Sequence, residues 1–130
     1  MIMKKYGIIA ALVFAAMGAL WAFRPAPAKY VYANVTVVES IIPGGLGRSR
    51  MMTTMDNGNT VESDIENFYS MVGINFGNIT KNDKKIVEKI NAMEQEGWEL
   101  HYITAGVQSP GGKDASNGIF LTRYLFRKAQ

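Results

Sequence analysis

The residues whose types come nearest to a ligand site are Pro43-Gly44-Gly45-Leu46-Gly47-Arg48-Ser49-Arg50. Glycines let backbone N–H groups converge on an anion, and Arg48 and Arg50 can clamp one. Phosphate loops, however, feed a helix N-terminus, whereas this segment feeds a strand, so a solvated loop is the favoured reading. Asp56, Glu62, Asp64 and Glu66 offer carboxylate oxygens for calcium, but their spacing matches no calcium loop, and an acid-rich helix start accounts for them. His101 is the only histidine and the chain has no cysteine. A histidine metal site recruits more than one histidine, and single residues do not make a Ser-His-acid triad. Lys81, Lys84 and Lys85 crowd the first turn of a predicted helix against its dipole; a solvated face is favoured over a contact with an acidic partner. Tyr30, Tyr32, Phe120, Tyr124 and Phe126 line one sheet face if their strands are neighbours. Covering of these rings by residues 64–79 is the favoured expectation; left uncovered, they imply a protein partner, an oligomer or a glycan. No catalytic, metal or cofactor constellation emerges.

The elements that position these residues follow from periodicity. Tyr30 to Glu39 alternates as a strand, with Val31, Ala33, Val35 and Val37 on one face. Arg50 to Asp56 and Asn59 to Glu62 flank Asn57-Gly58, which predicts a hairpin with a two-residue type I′ turn. Ser63-Asp64-Ile65-Glu66 reads as a capping box, and Ile65, Phe68, Tyr69 and Val72 form one stripe, so a short helix is expected at about 64–72. The rival reading is a strand that extends the hairpin. A second, clearer helix spans about 83–96, capped by Thr80 or Asn82, with Ile86, Val87, Ile90 and Met93 as its stripe. Gly97 ends it. A Schellman ending predicts Trp98 N–H on the Met93 carbonyl and Gly97 N–H on the Glu94 carbonyl, with Trp98 packed on Met93. Trp98, Leu100, Tyr102 and Thr104 are expected to share a strand face. After a polar, glycine-rich loop, the last strand runs from Gly118 to about Lys128. Ile119, Leu121 and Leu125 lie on one face of it, and Phe120, Tyr124 and Phe126 on the other; a strand apolar on both faces is usually central and covered on both sides.

At Glu96-Gly97-Trp98-Glu99-Leu100 the chain resembles a small bacterial family known only as a domain of unknown function. The resemblance spans Tyr30–Val38, Asp83–Glu96, Gly97–Leu100 with Tyr102–Ala105, and Phe120–Lys128, about half of residues 29–130. It departs over residues 41–79. It implies a fold and no activity, so it carries no functional residue.

The first 28 residues have a separate logic. Lys4 and Lys5 precede eighteen uncharged, mostly apolar residues, Tyr6 to Phe23. This is the pattern of a signal peptide or an N-terminal membrane anchor. Cleavage after Ala28 or Gly18 suits the former, which is narrowly favoured; Trp21 and Phe23 beside Arg24 suit the latter. The chain's net charge of +3 comes from Lys4, Lys5 and Arg24, because residues 29–130 hold eleven basic and eleven acidic residues. Nucleic-acid binding, which needs clustered surplus positive charge, is therefore not expected.

The sequence thus predicts residues 1–28 as leader and 29–130 as one α+β domain. The domain is an antiparallel sheet of four to five strands with helix 83–96 on one face; helix 64–72 and residues 74–79 cover part of the other face or an edge. The expected function is that of an exported, non-catalytic module, periplasmic or extracellular, binding or assembling through its sheet or loops. The surface residues singled out are Arg48, Arg50, Tyr30, Tyr32, Tyr124, Phe126 and Lys113. The expected partners are the membrane, through residues 6–23, and a protein or a second copy of the chain. The alternative is a small enzyme or ligand carrier with a site built from loops 43–50 and 106–117, using Arg48, Arg50, Lys113 or Asp114.

Overall fold

Alternation of apolar and polar residues in the longest strands builds one antiparallel sheet. The computed structural model describes residues 7, 13–15, 17, 28–42, 47–108 and 118–130. β1 (Tyr30–Ser40), β2 (Arg50–Thr54), β3 (Thr60–Asp64), β6 (Glu99–Gln108) and β7 (Ile119–Ala129) pair in the order β3-β2-β1-β7-β6. β4 (Tyr69–Ser70) and β5 (Gly73–Ile74) form a separate two-stranded ribbon. The one long described helix is α1 (Phe76–Gln95). The class is α+β, with five strands in the main sheet.

Ala33, Val35 and Val37 of β1 are buried, and Ala33 and Val35 stand opposite Phe126 and Tyr124 of β7. The stripe of α1 packs on this face, so that Met93, Trp98, Phe126 and Met51 share a core with the three β1 residues, flanked by Ile86 and Ile90. Phe126 has no exposed surface. Burying a side chain of this kind contributes about 1.5–3 kcal/mol. The helix ends as a Schellman motif: Trp98 N–H donates to the Met93 carbonyl (3.0 Å) and Gly97 N–H to the Glu94 carbonyl (2.9 Å). Gly97 takes φ +86°, which a side chain would resist.

Several expectations are corrected. No helix forms at 64–72. Ser63 is spent in β3, opposite Met51, and the Glu66 N–H that would close a capping box is taken by the Asn82 side chain. The apparent stripe is divided: Ile65 is buried while Val72 is 97% exposed. α1 begins at Phe76, because Asn75 accepts from the Asn78 N–H and caps it; Thr80 and Asn82 lie inside it. Lys81, Lys84 and Lys85 are therefore beyond the first turn and do not oppose the dipole there.

The hairpin loop has three residues, Asp56 to Gly58. Gly58 N–H reaches the Met55 carbonyl, Met55 N–H reaches the Asn59 carbonyl, and only Gly58 has positive φ. Those features make a type I turn with a bulge glycine in place of type I′. In β6 the register shifts between Leu100 and Tyr102, leaving His101 extra. The bulge moves Tyr102 and Thr104 to the face opposite Leu100.

Much of the predicted leader lies outside the described residues. Gly7, residues 13–15 and Met17 are helical, and Val13, Phe14 and Met17 are exposed. Among the described residues no helix is long and apolar enough to cross a membrane.

Candidate functional site

Strand phase decides which side chains can meet. Tyr32 pairs with Arg127, whereas Ala33 pairs with Phe126. The five aromatic residues expected on one face are thus divided. Phe120, Tyr124 and Phe126 point to the helix side, and Tyr30 and Tyr32 to the other. The segment expected to cover all five also reaches only the helix side, where the Phe68 ring meets Phe120 at 5.4 Å.

The face away from α1 carries Tyr30, Tyr32, Asn34 and Thr36 from β1, Arg123, Leu125 and Arg127 from β7, and Tyr102 and Thr104 from β6. No described residue packs over it. Tyr32 is 48% and Tyr102 62% exposed. The bulge brings the His101 ring within 6.4 Å of the Tyr32 ring. Arg127 is held by Glu99 through two hydrogen bonds of 3.0 and 2.9 Å, and its guanidinium lies 4.7 Å from the Tyr30 ring centre. The bond from Arg127 keeps the Glu99 carboxyl below the usual carboxylate range. The result is a surface of rings and hydrogen-bonding groups on which Arg127 is held by Glu99.

The arginine-rich loop does not form a clamp. Arg48 is exposed, while Arg50 turns to Glu62 at 2.8 Å. Gly47 is needed for packing, since a Cβ there would run into the Ser40 side chain. A depression of about 360 Å³ lies beside Arg48, lined by Ser49, Asp64, Ile65 and Asn67. Residues 43–46 and 109–117, including Lys113 and Asp114, lie outside the described residues. The bases of the two loops do meet, for Ile41 N–H donates to the Gly118 carbonyl at 2.9 Å. The four acids do not converge: Asp56 is at the hairpin tip, Glu62 pairs with Arg50, and Glu66 is 3.8 Å from Lys81. Lys84 lies near Glu88, and Lys85 donates to the Asp64 carbonyl. A second depression, of about 580 Å³, lies over Trp98 between the hairpin tip and the end of α1. Lys128 at its rim donates to the Glu96 carbonyl, which supplies the helix end with the positive charge its own last turn lacks.

One polar centre went unrecognised in the sequence. Asn82 is fully buried; its Oδ1 accepts from Glu66 N–H, and its Nδ2 donates to the Glu66 carbonyl and to Glu39 Oε1, all within 2.8–2.9 Å. Burial pushes the Glu39 carboxyl above its ordinary range, against the Asn82 hydrogen bond, and Asp83 adds to the rise. The Tyr124 hydroxyl is raised by burial and by the charges of Glu39 and Asp83. With each polar atom of Asn82 satisfied, this centre clasps the helix to β1 and to the loop after β3. The available signal was spacing: Asn82 stands on the same helical stripe as Ile86 and Met93, and Glu39 continues the phase of Val35 and Val37. Compared with known proteins, the chain matches no family model, no curated protein and no solved structure.

Proposed function

We propose that the protein is an exported, non-catalytic module that binds its ligand on the sheet face away from α1. The observation that carries this reading is the exposure of Tyr32 and Tyr102 on a face with no described cover. Tyrosine rings join an apolar surface to a hydroxyl. With Asn34 in the row of Tyr102 and with Thr36 and Thr104 in the next row, they suit a ligand that alternates flat C–H faces with hydroxyl groups, which is the chemistry of a glycan. Residues 1–28 act as signal peptide or anchor and bring the module to a compartment where such polymers occur. The helix–Gly97-Trp98-Glu99-Leu100–strand order supports kinship with the family named above.

The test is retention of the full chain on insoluble polysaccharide and on isolated cell-wall sacculi. Tyr32→Ala and Tyr102→Ala are each expected to weaken binding about 2- to 12-fold at unchanged thermal stability. Absence of retention on every glycan tried would reject the reading. The loop-built carrier remains a second reading because the Ile41–Gly118 hydrogen bond joins the two loop bases. It expects Arg48→Ala and Lys113→Ala to abolish binding and the tyrosine variants to leave it intact.

A further inference from the structure

The two edges of the sheet are guarded unequally. β3 is five residues long and carries Glu62 and Asp64. β6 is ten residues long, and from Tyr102 to Gln108 it contains neither a charge nor a proline. An edge strand presents unpaired N–H and C=O groups, and charges, prolines or shortness normally keep other strands away. Beyond the bulge at His101, β6 has none of these. Its side chains on the helix side are also uncovered, with Ile103 51% and Val107 62% exposed. Gly106 adds an independent sign. A glycine weakens a strand and often marks where another backbone comes close. Here no atom of the described residues lies within 4 Å of the place a Cβ would occupy, so no described contact accounts for it.

We infer that a second copy of this chain pairs antiparallel with β6 about a two-fold axis at Ala105, joining two sheets into one. The uncharged stretch is centred on Ala105 and complements itself. Ile103 faces Val107 of the second copy, Tyr102 faces Gln108, and Thr104 faces Gly106. Each pair keeps its side of the sheet, so both helices lie on one side. The bulge and Glu99 fall outside the paired stretch, and no like charges meet. Seven paired residues bury less than the roughly 800 Å² per partner of a standard interface, so the dimer forms and dissociates with concentration. The inference does not depend on what the open face binds.

A chain without cysteine makes the test direct. The full chain carrying Ala105→Cys is oxidised both in membranes and after purification, beside Thr60→Cys on the β3 edge. Ala105→Cys is expected to give a covalent dimer and Thr60→Cys to remain monomeric. Adding Ile103→Lys and Val107→Lys places like charges opposite each other and lowers the dimer yield about tenfold. Mixing that copy with one carrying Ala105→Cys, Ile103→Glu and Val107→Glu restores cross-linking. Circular dichroism and thermal melting confirm that each variant is folded. Equal cross-linking at both edges, no dimer from Ala105→Cys, insensitivity to the paired lysines, or cross-linking only to other proteins would each overturn the inference.

Discussion

The two faces of the main sheet are made by the same strands and have opposite fates. On one face, Val35, Val37 and Phe126 are sealed under α1. On the other, Tyr32 and Tyr102 remain open, and Arg127 is fixed by Glu99. Strand alternation produces both faces, but among the described residues only one helix is long enough to cover either, and its stripe selects the aliphatic face. The covered face therefore carries the stability, and the open face carries the recognition proposed above.

Breaking the covered face should have the largest effect. Phe126→Ala removes a ring with no exposed surface and should cost about 3–5 kcal/mol in denaturant unfolding. Asn82→Ala strips partners from the Glu66 backbone and the Glu39 carboxyl, and about 1–3 kcal/mol should be lost in the same assay. Gly97→Ala tests the helix stop: a side chain at φ +86° should lower stability by about 1–2 kcal/mol without moving the core.

The next effect is smaller and depends on pH. Burial raises the Glu39 pKa above its unfolded value, so its contribution is fully present below the ordinary carboxylate range and is lost as pH rises through the folded value. Glu39→Gln should therefore raise the melting temperature at neutral pH and flatten its decline as pH rises above the ordinary carboxylate range. The smallest effect belongs to the open face. Tyr102→Ser should change stability by no more than about 0.5 kcal/mol; a loss above about 1 kcal/mol would mean that this face is covered in the folded chain.

Legibility in the sequence followed the range of the forces involved. β1, β7 and the Gly97 helix stop were readable, because alternation and a left-handed glycine act over a few residues. The segment after β3 was not. Ser63 to Glu66 satisfies the local rule for a capping box, yet Asn82, sixteen residues beyond Glu66, takes the N–H on which the box depends. The start of α1 is harder to read, because Gly77 interrupts its first turn and Thr80 and Asn82 offer later caps. The bulge at His101 leaves no local trace, so alternation alone puts Tyr102 on the face of Leu100. Of the candidate surface, alternation alone puts Tyr30 and Tyr32 on one face, but Tyr124 and Phe126 are separated from them only by the register between β1 and β7.

By itself the sequence determined the α+β class, the long strands, the end of the main helix and the near-neutral charge of residues 29–130, since composition and short-range periodicity carry these. Only the tertiary structure decided which aromatic rings share a face, where α1 begins, that Asn82 is a buried clasp, and that β3 and β6 form the edges of the main sheet. Each of these turns on a hydrogen bond or a strand pairing between residues far apart in the chain, and no local pattern encodes such a partner.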